Sequence, residues 1–377
     1  MNKYLISLAL IVFISACEKQ EIVVDVSTQD SVLKIIEAEK NIQSLNSVSF
    51  AVVKGDELVW ADAIGKATDN LLATIDTRFL IASISKSVTA IAAMKLAEEN
   101  ALDLDTDINT YLTFAVRNPN FPNKPITTRM LLNHSSSISD AHYGTFDFYC
   151  WNQDCAVPLD VFLKDFFDSN GKFYSTRTFY NDPPGEKGNY SNMGYALLGY
   201  VVEKVANQPF DEYCKENIFI PLGMQSTEWR LNNTPLNELA TPYSPTITPS
   251  APHYTFPDYP NGGIRSTPSD MSKFVRMLIN NGTFNGNQVV TANTIDEIKF
   301  RPFPITRGGL RFDLGLGFYF YDVKGTILFG HGGGEQGTST SMFYSLETGV
   351  GVVVFSNTSN ANLDLILYAL YKYGTEQ

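Results

Sequence analysis

The feature of this sequence that most restricts its fold is the position of its β-strand patterns, which stand near both ends of the chain. Residues 47–65 alternate between apolar and polar side chains around a Lys54-Gly55-Asp56 turn, which predicts a hairpin. Three further strand-like stretches follow one another from about residue 325: GTILFGH, STSMFYSL and GVGVVVFSN. The long segment between the two groups, about 100–260, is rich in Pro, Asn, Tyr and Asp and predicts helical pieces separated by loops.

Two segments have helical periodicity and complete the predicted architecture. Apolar residues from Met193 to Val205 recur at spacings of three and four, and residues 360–373 form a second amphipathic stretch. The most economical fold is of the α/β (α+β) class. It has an antiparallel sheet formed by both chain ends, flanked by helices, with a largely helical inserted lobe at about 100–260. An active site would then lie between the two lobes, where ligand clefts are common.

The composition is that of a folded, acidic protein. The chain has 377 residues, enough for two domains or one large one, and 44% of them are hydrophobic against 18% charged. It carries 28 Lys and Arg against 40 Asp and Glu and has no basic run. This charge balance excludes the electrostatic surface that nucleic acid needs, so no nucleic-acid partner is expected.

Residues 1–17 have the pattern of a signal peptide. Lys3 supplies a basic end, and the apolar run over 4–14 is shorter than the ~20 residues that a membrane span needs. Small residues precede Cys17 as in a bacterial lipobox; ordinary signal cleavage nearby is the alternative. We expect a lipoprotein signal peptide at 1–17, a tether at 18–30 and a folded domain at 31–377. A lipid on Cys17 would hold this exported protein at the cell envelope, on the periplasmic face or the outer membrane.

The cysteines and histidines indicate the redox context and argue against a metal site. Cys150 and Cys155 could close a small loop by a disulfide, which an exported protein permits, whereas Cys214 is expected to be a buried thiol. The four histidines are scattered and no H-E-x-x-H occurs. We therefore expect no metal and no cofactor.

Residues 79–96, FLIASISKSVTAIAAMKL, place serines and a lysine at the start of an apolar helix. Ser83 and Lys86 are three positions apart, so their side chains are neighbours on a helix. A serine nucleophile needs a base, but lysine is a poor base at its free pKa of ~10.4. Burial and the positive helix N-terminus push this pKa down, so Lys86 is well placed to act as the base. The same spacing recurs at Ser31…Lys34 and Ser169…Lys172, where no apolar helix begins.

A second motif, Tyr190-Ser191-Asn192, follows a Pro-Gly loop and comes just before the predicted helix. A tyrosine near a lysine can relay a proton, and an asparagine amide can bind a substrate carbonyl. The alternative is structural: Asn192 caps the helix and Tyr190 packs beneath it.

A third motif, His331-Gly332-Gly333-Gly334, ends the strand TILFGH. Glycines at a strand end let a ligand approach the backbone closely, and a backbone N–H there could complete an oxyanion hole. The alternative is a glycine-rich turn with an exposed histidine.

Taken together, these segments resemble the serine β-lactamase and penicillin-binding-protein superfamily, in particular its class C branch. The order Ser-x-x-Lys, Tyr-x-Asn, His-x-Gly is the family order, and ITTRMLLNHSS, PPGEKGNYSNMGYALLGYVVE and GHGGGEQGTSTSMFYSLETGVGVVVFSN agree with it. The likeness runs from about residue 31 to the C-terminus. It implies the family fold, an α/β sandwich with a helical lobe, and a catalytic domain at 31–377.

The resemblance also implies a role for each motif. Three residues would be catalytic: the acylated nucleophile Ser83, its base partner Lys86 and the proton-relay tyrosine Tyr190. Four would bind substrate: Asn192 on the substrate amide, and His331, Gly332 and Gly333 of the third motif on the edge strand. The oxyanion hole would consist of the backbone N–H groups of Ser83 and Gly334.

Two departures from the family pattern bear on the substrate. The third motif is His-Gly-Gly where most true β-lactamases have Lys-Thr-Gly, and His331 would be mostly neutral at pH 7 given a free pKa of ~6.5. A fixed positive charge for a drug carboxylate is therefore missing, unless Arg265 or Arg311 supplies it. The second departure is Ser137, which stands where the family often has glycine in His-Thr-Ser-Gly, so the geometry of that turn is open.

The resemblance therefore implies a serine hydrolase that acts by a covalent acyl-enzyme on ester or amide (peptide-like) bonds, as in the esterase and D-aminopeptidase-like branches. The alternatives are a β-lactamase that hydrolyses β-lactam antibiotics and a non-hydrolysing penicillin-binding or sensor protein. The expected partners are a small-molecule ester, peptide or β-lactam substrate, and a membrane reached through the lipid anchor.

Overall fold

The computed structural model describes residues 25–244, 251–307 and 310–377. The predicted signal peptide, Cys17 and most of the predicted tether lie outside the described residues, so the lipid anchor and the envelope location stay predictions. Near the end of the predicted tether, a helix capped by Thr28 begins at Gln29. Among the described helices, none combines the length and the apolar character that crossing a membrane requires.

The helices are distributed along the whole described chain. They are α1 (Gln29–Ile42), α2 (Ser85–Glu98), α3 (Thr128–Leu132), α4 (Leu159–Phe167), α5 (Asn192–Ala206), α6 (Phe210–Cys214), α7 (Ile220–Leu222), α8 (Pro268–Ile279), α9 (Ala292–Glu297) and α10 (Asp364–Glu376). The strands are β1 (Ser47–Lys54), β2 (Glu57–Gly65), β3 (Phe79–Leu80), β4 (Cys150–Trp151), β5 (Tyr254–Thr255), β6 (Arg265–Ser266), β7 (Thr283–Phe284), β8 (Asn287–Gln288), β9 (Phe303–Arg307), β10 (Leu310–Leu314), β11 (Tyr319–Val323), β12 (Thr326–Glu335), β13 (Thr338–Tyr344) and β14 (Val350–Ser356).

The main sheet confirms the predicted fold class. Within the described residues, eight antiparallel strands follow the order β2-β1-β14-β13-β12-β11-β10-β9. Strand β1 pairs with β14 from Ser49↔Phe355 to Lys54↔Val350, so the two ends of the chain meet inside one sheet. Strand β12 is not the outermost strand, because β11, β10 and β9 extend the sheet beyond it, but β11 pairs only with Thr326–Gly330, so the third motif itself lies at an unpaired edge.

Both faces of the sheet are covered by helices, as the alternation of its strands requires. In β14, Val352 and Val354 pack into a cluster with Ile366 and Leu370 of α10. The alternate residue Val353 packs into the larger cluster that holds the apolar residues of α2, α5 and α8. Strand side chains point alternately to opposite faces, so an almost entirely apolar strand such as β14 belongs between two layers of helix.

Candidate active site

Ser83 lies in a short 3₁₀ turn, Ala82–Ile84, that leads directly into α2. The segment before it is held on the main sheet, because Thr338 and Thr340 of β13 donate to the carbonyls of Leu80 and Ile81 at 2.8 and 2.9 Å. Ala82 has a φ of +47°, a left-handed conformation that costs a non-glycine residue energy. The sheet therefore fixes a strained backbone immediately before Ser83.

Lys86 is buried on the first turn of α2, with its ammonium nitrogen next to Ser83. Its Nζ is 3.0 Å from Ser83 Oγ, and it donates to Asn192 Oδ1 at 2.8 Å and to the Asn261 carbonyl at 2.7 Å. A neutral amine has two N–H groups and one lone pair. Its two N–H groups can satisfy the two amide acceptors, which leaves the lone pair for the Ser83 proton. The arrangement is thus suited to a lysine base.

Tyr190 lines the same cleft and is supported from one side by a histidine that the sequence interpretation treated only as part of a loop. The His134 ring stacks on Tyr190 with the ring centroids 4.4 Å apart. The backbone N–H of Ser191 donates to His134 Nδ1 at 3.1 Å, which requires an unprotonated Nδ1. Lys86 Nζ lies 5.0 Å from the centre of the Tyr190 ring. His134 therefore orients Tyr190 in two ways: it stacks on the tyrosine ring, and it accepts from the backbone N–H of the next residue, Ser191.

Asn192 begins helix α5, but it is not the cap that the alternative interpretation proposed. Ser191 caps the helix through the Gly194 N–H, and the Asp140 carboxylate accepts from the N–H groups of Asn192 and Met193 at 2.6 and 3.2 Å. Ser191 Oγ also donates to Asp140 at 2.9 Å. Burial raises the pKa of Asp140, while these hydrogen bonds and the nearby Lys86 act in the opposite direction. Asp140 therefore frees the Asn192 side chain to accept from Lys86.

The third motif runs along β12 beside Ser83. Strand β11 pairs with β12 only from Thr326 to Gly330, so the edge of the motif residues is left open toward the cleft. A Cβ on Gly333 would lie 2.5 Å from the Ile81 carbonyl oxygen and 3.1 Å from Ser83 N. Only glycine allows this approach of the two backbones. It brings the N–H groups predicted for the oxyanion hole to the same wall of the cleft.

His331 is buried rather than exposed, so the alternative of a turn with an exposed histidine is wrong. Its Nδ1 lies 2.5 Å from the Gly332 carbonyl, and its ring meets the edge of Tyr319 with centroids 4.9 Å apart. Tyr319 Oη in turn accepts from the Gly332 N–H at 2.8 Å. These contacts fix the histidine at the cleft wall.

Arg265 does not supply the positive charge that the third motif lacks. Its side chain is buried, and its two terminal nitrogens donate to the backbone carbonyls of Gly263, at 2.7 Å, and of Tyr254. It lines a separate cavity behind Phe256 and Pro257. The side chain of Arg311 lies outside what the structure describes.

These segments converge on one cleft of about 360 Å³ between the sheet and the helical lobe. It gathers residues from every predicted motif and several that were not predicted: Ala82, Ser83, Tyr143, Tyr190, Asn192, Phe256, Asn261, Gly262, Leu314, Tyr319, His331, Gly332, Gly333, Gly334 and Glu335. The described part of the chain contains no group of three His, Cys, Asp or Glu side chains arranged to hold a metal ion.

A disulfide-closed loop contacts Glu335, one of the residues that line the cleft. Cys150 and Cys155 are bonded, as the sequence suggested, and Cys214 is a buried free thiol. Next to the disulfide, Tyr149 Oη donates to Glu335 at 2.5 Å. Tyr254, which pairs with this loop in the β4–β5 ribbon, donates to the Gln336 carbonyl. Hydrogen bonds from Tyr149 and Tyr254 therefore hold the loop against the C-terminal end of β12.

Comparison with known proteins agrees with this geometry. A family model described as Beta-lactamase matches residues 33–371. Protein flp of Staphylococcus aureus (strain N315) is 25% identical over 264 residues, 67% of this chain and 49% of flp. Penicillin-binding protein 4* of Bacillus subtilis (strain 168) is 26% identical over 326 residues, 81% of this chain and 66% of that protein. The chain spans about half the length of flp.

The fold has a close structural counterpart. The crystal structure of D-amino acid amidase from Ochrobactrum anthropi SV3 matches 92% of this chain and 98% of its own with a TM-score of 0.72. At 22% sequence identity, this likeness shows that the two chains share a fold.

Proposed function

The chain belongs to the β-lactamase family, and on this premise we propose that it is a serine hydrolase that works through a covalent acyl-enzyme on ester or amide, including peptide-like, bonds. Relatives named as a penicillin-binding protein and an amidase support hydrolase chemistry in general. The observation that carries the proposal is the 3.0 Å contact between Ser83 Oγ and Lys86 Nζ, inside the cleft that Tyr190 and the third motif also line.

The chemistry follows from this contact. Ser83 gives its proton to Lys86, with Tyr190 as the relay, and its oxygen bonds to the substrate carbonyl carbon. The carbonyl oxygen becomes an oxyanion that the N–H groups of Ser83 and Gly334 stabilise. The leaving group departs with a proton returned by Lys86 or Tyr190, which leaves an ester on Ser83. Water then attacks this ester as it gives a proton to the same groups; the bond between the acyl carbon and Ser83 Oγ breaks, and the proton returns to Oγ.

The substrate class is inferred from charge. His331 stands where a lysine would offer a permanent cation to a drug carboxylate, and Arg265 is occupied by backbone carbonyls away from the cleft. A carboxylate that enters without a cationic partner loses hydration and gains little in return. We therefore place esters and amides ahead of β-lactams. The β-lactamase and the non-hydrolysing penicillin-binding protein are the alternatives, and the substrate panel described below distinguishes them.

The test is active-site labelling with a fluorophosphonate and with a fluorescent penicillin, mapped by mass spectrometry. We expect an adduct on Ser83 that Ser83→Ala abolishes. Ser87→Ala is the matched control, since Ser87 is also buried on α2 but donates to the Gly317 carbonyl outside the cleft. Labelling of another residue, unchanged in Ser83→Ala, contradicts the mechanism.

A substrate panel then ranks the three functions. p-Nitrophenyl butyrate and D-alanyl peptides are expected to turn over faster than nitrocefin. Efficient nitrocefin hydrolysis would make the protein a β-lactamase, and a stable penicillin adduct without any turnover would make it a binding protein.

A further inference from the structure

The cleft has an unusual charge for a site that is related to penicillin recognition. Among the described side chains that line it, Glu335 is the one with a formal charge, apart from the histidine His331. Lys86 is buried behind the lining, with its Nζ in contact with Ser83 Oγ, Asn192 Oδ1 and the Asn261 carbonyl. The fixed charge that a ligand would meet on the cleft wall is therefore the negative charge of Glu335.

Glu335 is held in place rather than mobile on the surface. Its Oε1 accepts from Tyr149 Oη at 2.5 Å and from the Gln336 N–H at 2.9 Å. Burial, and next the Glu335 carboxylate itself, raise the pKa of Tyr149 well above its usual range, so this phenol remains a donor at neutral pH. The Tyr149 ring also packs against Tyr254, with centroids 4.7 Å apart. Pre-organised polar groups of this kind lose little entropy when they bind a ligand.

The second carboxylate oxygen of Glu335 is available to a ligand. Among the described residues, no donor bonds to Oε2, and the side chain is partly exposed in the cleft. Glu335 directly follows Gly334, whose N–H is proposed to hold the oxyanion. A group bound by Glu335 would therefore lie on the same cleft wall as the reacting carbonyl, about one residue along β12 from the proposed oxyanion hole.

We infer that Glu335 makes the hydrolase select substrates that carry a protonated amine close to the scissile carbonyl and disfavour those with a carboxylate there. This inference rests on the proposed function. A charge-assisted hydrogen bond between an ammonium and a fixed carboxylate is the interaction that carries it.

The experiment compares two p-nitrophenyl esters of nearly equal size, the 3-aminopropanoate and the butyrate, after subtraction of spontaneous hydrolysis. We expect the cationic ester to have a kcat/KM about tenfold higher, the size of one hydrogen bond to a charged group. Glu335→Gln keeps the shape and an acceptor for Tyr149, and the ratio of the two esters should fall to about one. Glu347→Gln, on the exposed turn after β13, removes the same charge elsewhere and should leave the ratio unchanged.

The outcomes separate this inference from the proposed function. Ser83-dependent hydrolysis with the same ratio in wild type and Glu335→Gln overturns the inference and leaves the function intact. An equal loss of rate on both esters in Glu335→Gln also overturns it, because that is a structural effect. If neither ester gives Ser83-dependent turnover, the proposed function fails. Calorimetric binding of 3-aminopropanamide to Ser83→Ala, with and without Glu335→Gln, then tests the ammonium site alone, and equal affinity overturns the inference.

Discussion

At the scale of single residues, Asp140 holds the start of helix α5 and, through it, the position of Asn192. Its carboxylate accepts the free N–H groups at the start of α5, where a negative charge is favoured by the helix dipole. This fixes the backbone of Asn192, whose side chain accepts from Lys86. A residue that does not line the cleft thus determines where the lysine nitrogen lies relative to Ser83.

We expect Asp140→Asn to lower kcat by at least about tenfold with a small change in stability. Loss of the carboxylate weakens the cap by about 1 kcal/mol, but burial disfavours this charge and raises its pKa, so the two effects partly cancel. The amide NH₂ would face a backbone donor and displace Asn192, and sub-ångström shifts near a reacting group are costly. Esterase kinetics and thermal unfolding, measured together, check this.

Thr267→Ala is the matched control for Asp140→Asn. It removes the cap of α8, whose residues do not line the cleft, at a similar cost in stability. If both variants lose activity in proportion to their loss of stability, Asp140 has no positioning role.

At the scale of helices and strands, the sequence predicted the elements with a strong period and missed the irregular ones. The β12–β14 strands and α5 were predicted because their apolar residues alternate or recur every three to four positions. Strands β9 to β11 were not predicted. They form the far edge of the sheet, where β9 carries Pro304, and a proline argues against a strand in sequence but is tolerated at an edge.

The site was predictable only where its residues stand in compact motifs. Ser83, Lys86, Tyr190, Asn192 and the third motif are brought together as the resemblance implied. The supporting residues were missed because their contacts join segments far apart in sequence. The carbonyl of Asn261, for example, accepts from Lys86 across 175 positions. Ser137 adopts the left-handed conformation, with a φ of +61°, that glycine would otherwise supply at this turn. Its hydroxyl accepts from the buried Asn118, which helps to hold the serine there.

The disulfide loop gives a prediction at the same scale. The double variant Cys150→Ser/Cys155→Ser should lose about 2 kcal/mol of stability, as expected for a short loop. Because Tyr149 beside the loop fixes Glu335, the preference for the cationic ester should fall at least threefold, while kcat/KM for the butyrate ester changes less than twofold. Kinetics with both esters, and urea unfolding, measure the two effects.

Reductant provides the control for this prediction. Dithiothreitol should reproduce the effect in wild type and do nothing to the double variant, in which Cys214 is the remaining described thiol. An unchanged ester ratio in the double variant would show that the loop does not position Glu335.

At the scale of the whole molecule, the stability of the fold depends on pH through one buried carboxyl group, that of Asp258. Asp258 is fully buried, and Asn261, which lines the cleft, donates from its Nδ2 to Asp258 Oδ2 at 2.5 Å. Its Oδ1 has no hydrogen-bond partner among the described residues. Burial raises the pKa of Asp258 from 3.8 to about 6, with hydrogen bonds from Asn261 and Tyr143 acting against it and Asp140 adding to it. Asp258 therefore fixes Asn261 by a hydrogen bond, but its ionised form lowers the stability of the folded state because the charge is buried.

The consequence is a pH dependence of global stability that Asp258→Asn should remove. Between about pH 4 and pH 6 the folded state holds a proton that the unfolded state has released, so stability falls as pH rises through this window. The loss approaches about 2 kcal/mol and is complete above pH 7. Urea unfolding should be measured for wild type and Asp258→Asn from pH 4 to pH 8. The free energy of unfolding of the variant, relative to that of wild type, should rise by this amount over the range, whatever the difference at pH 4. Asp69→Asn, at an exposed site, should run parallel to wild type. Parallel curves for Asp258→Asn would mean that Asp258 is charged, and stabilised as such, throughout.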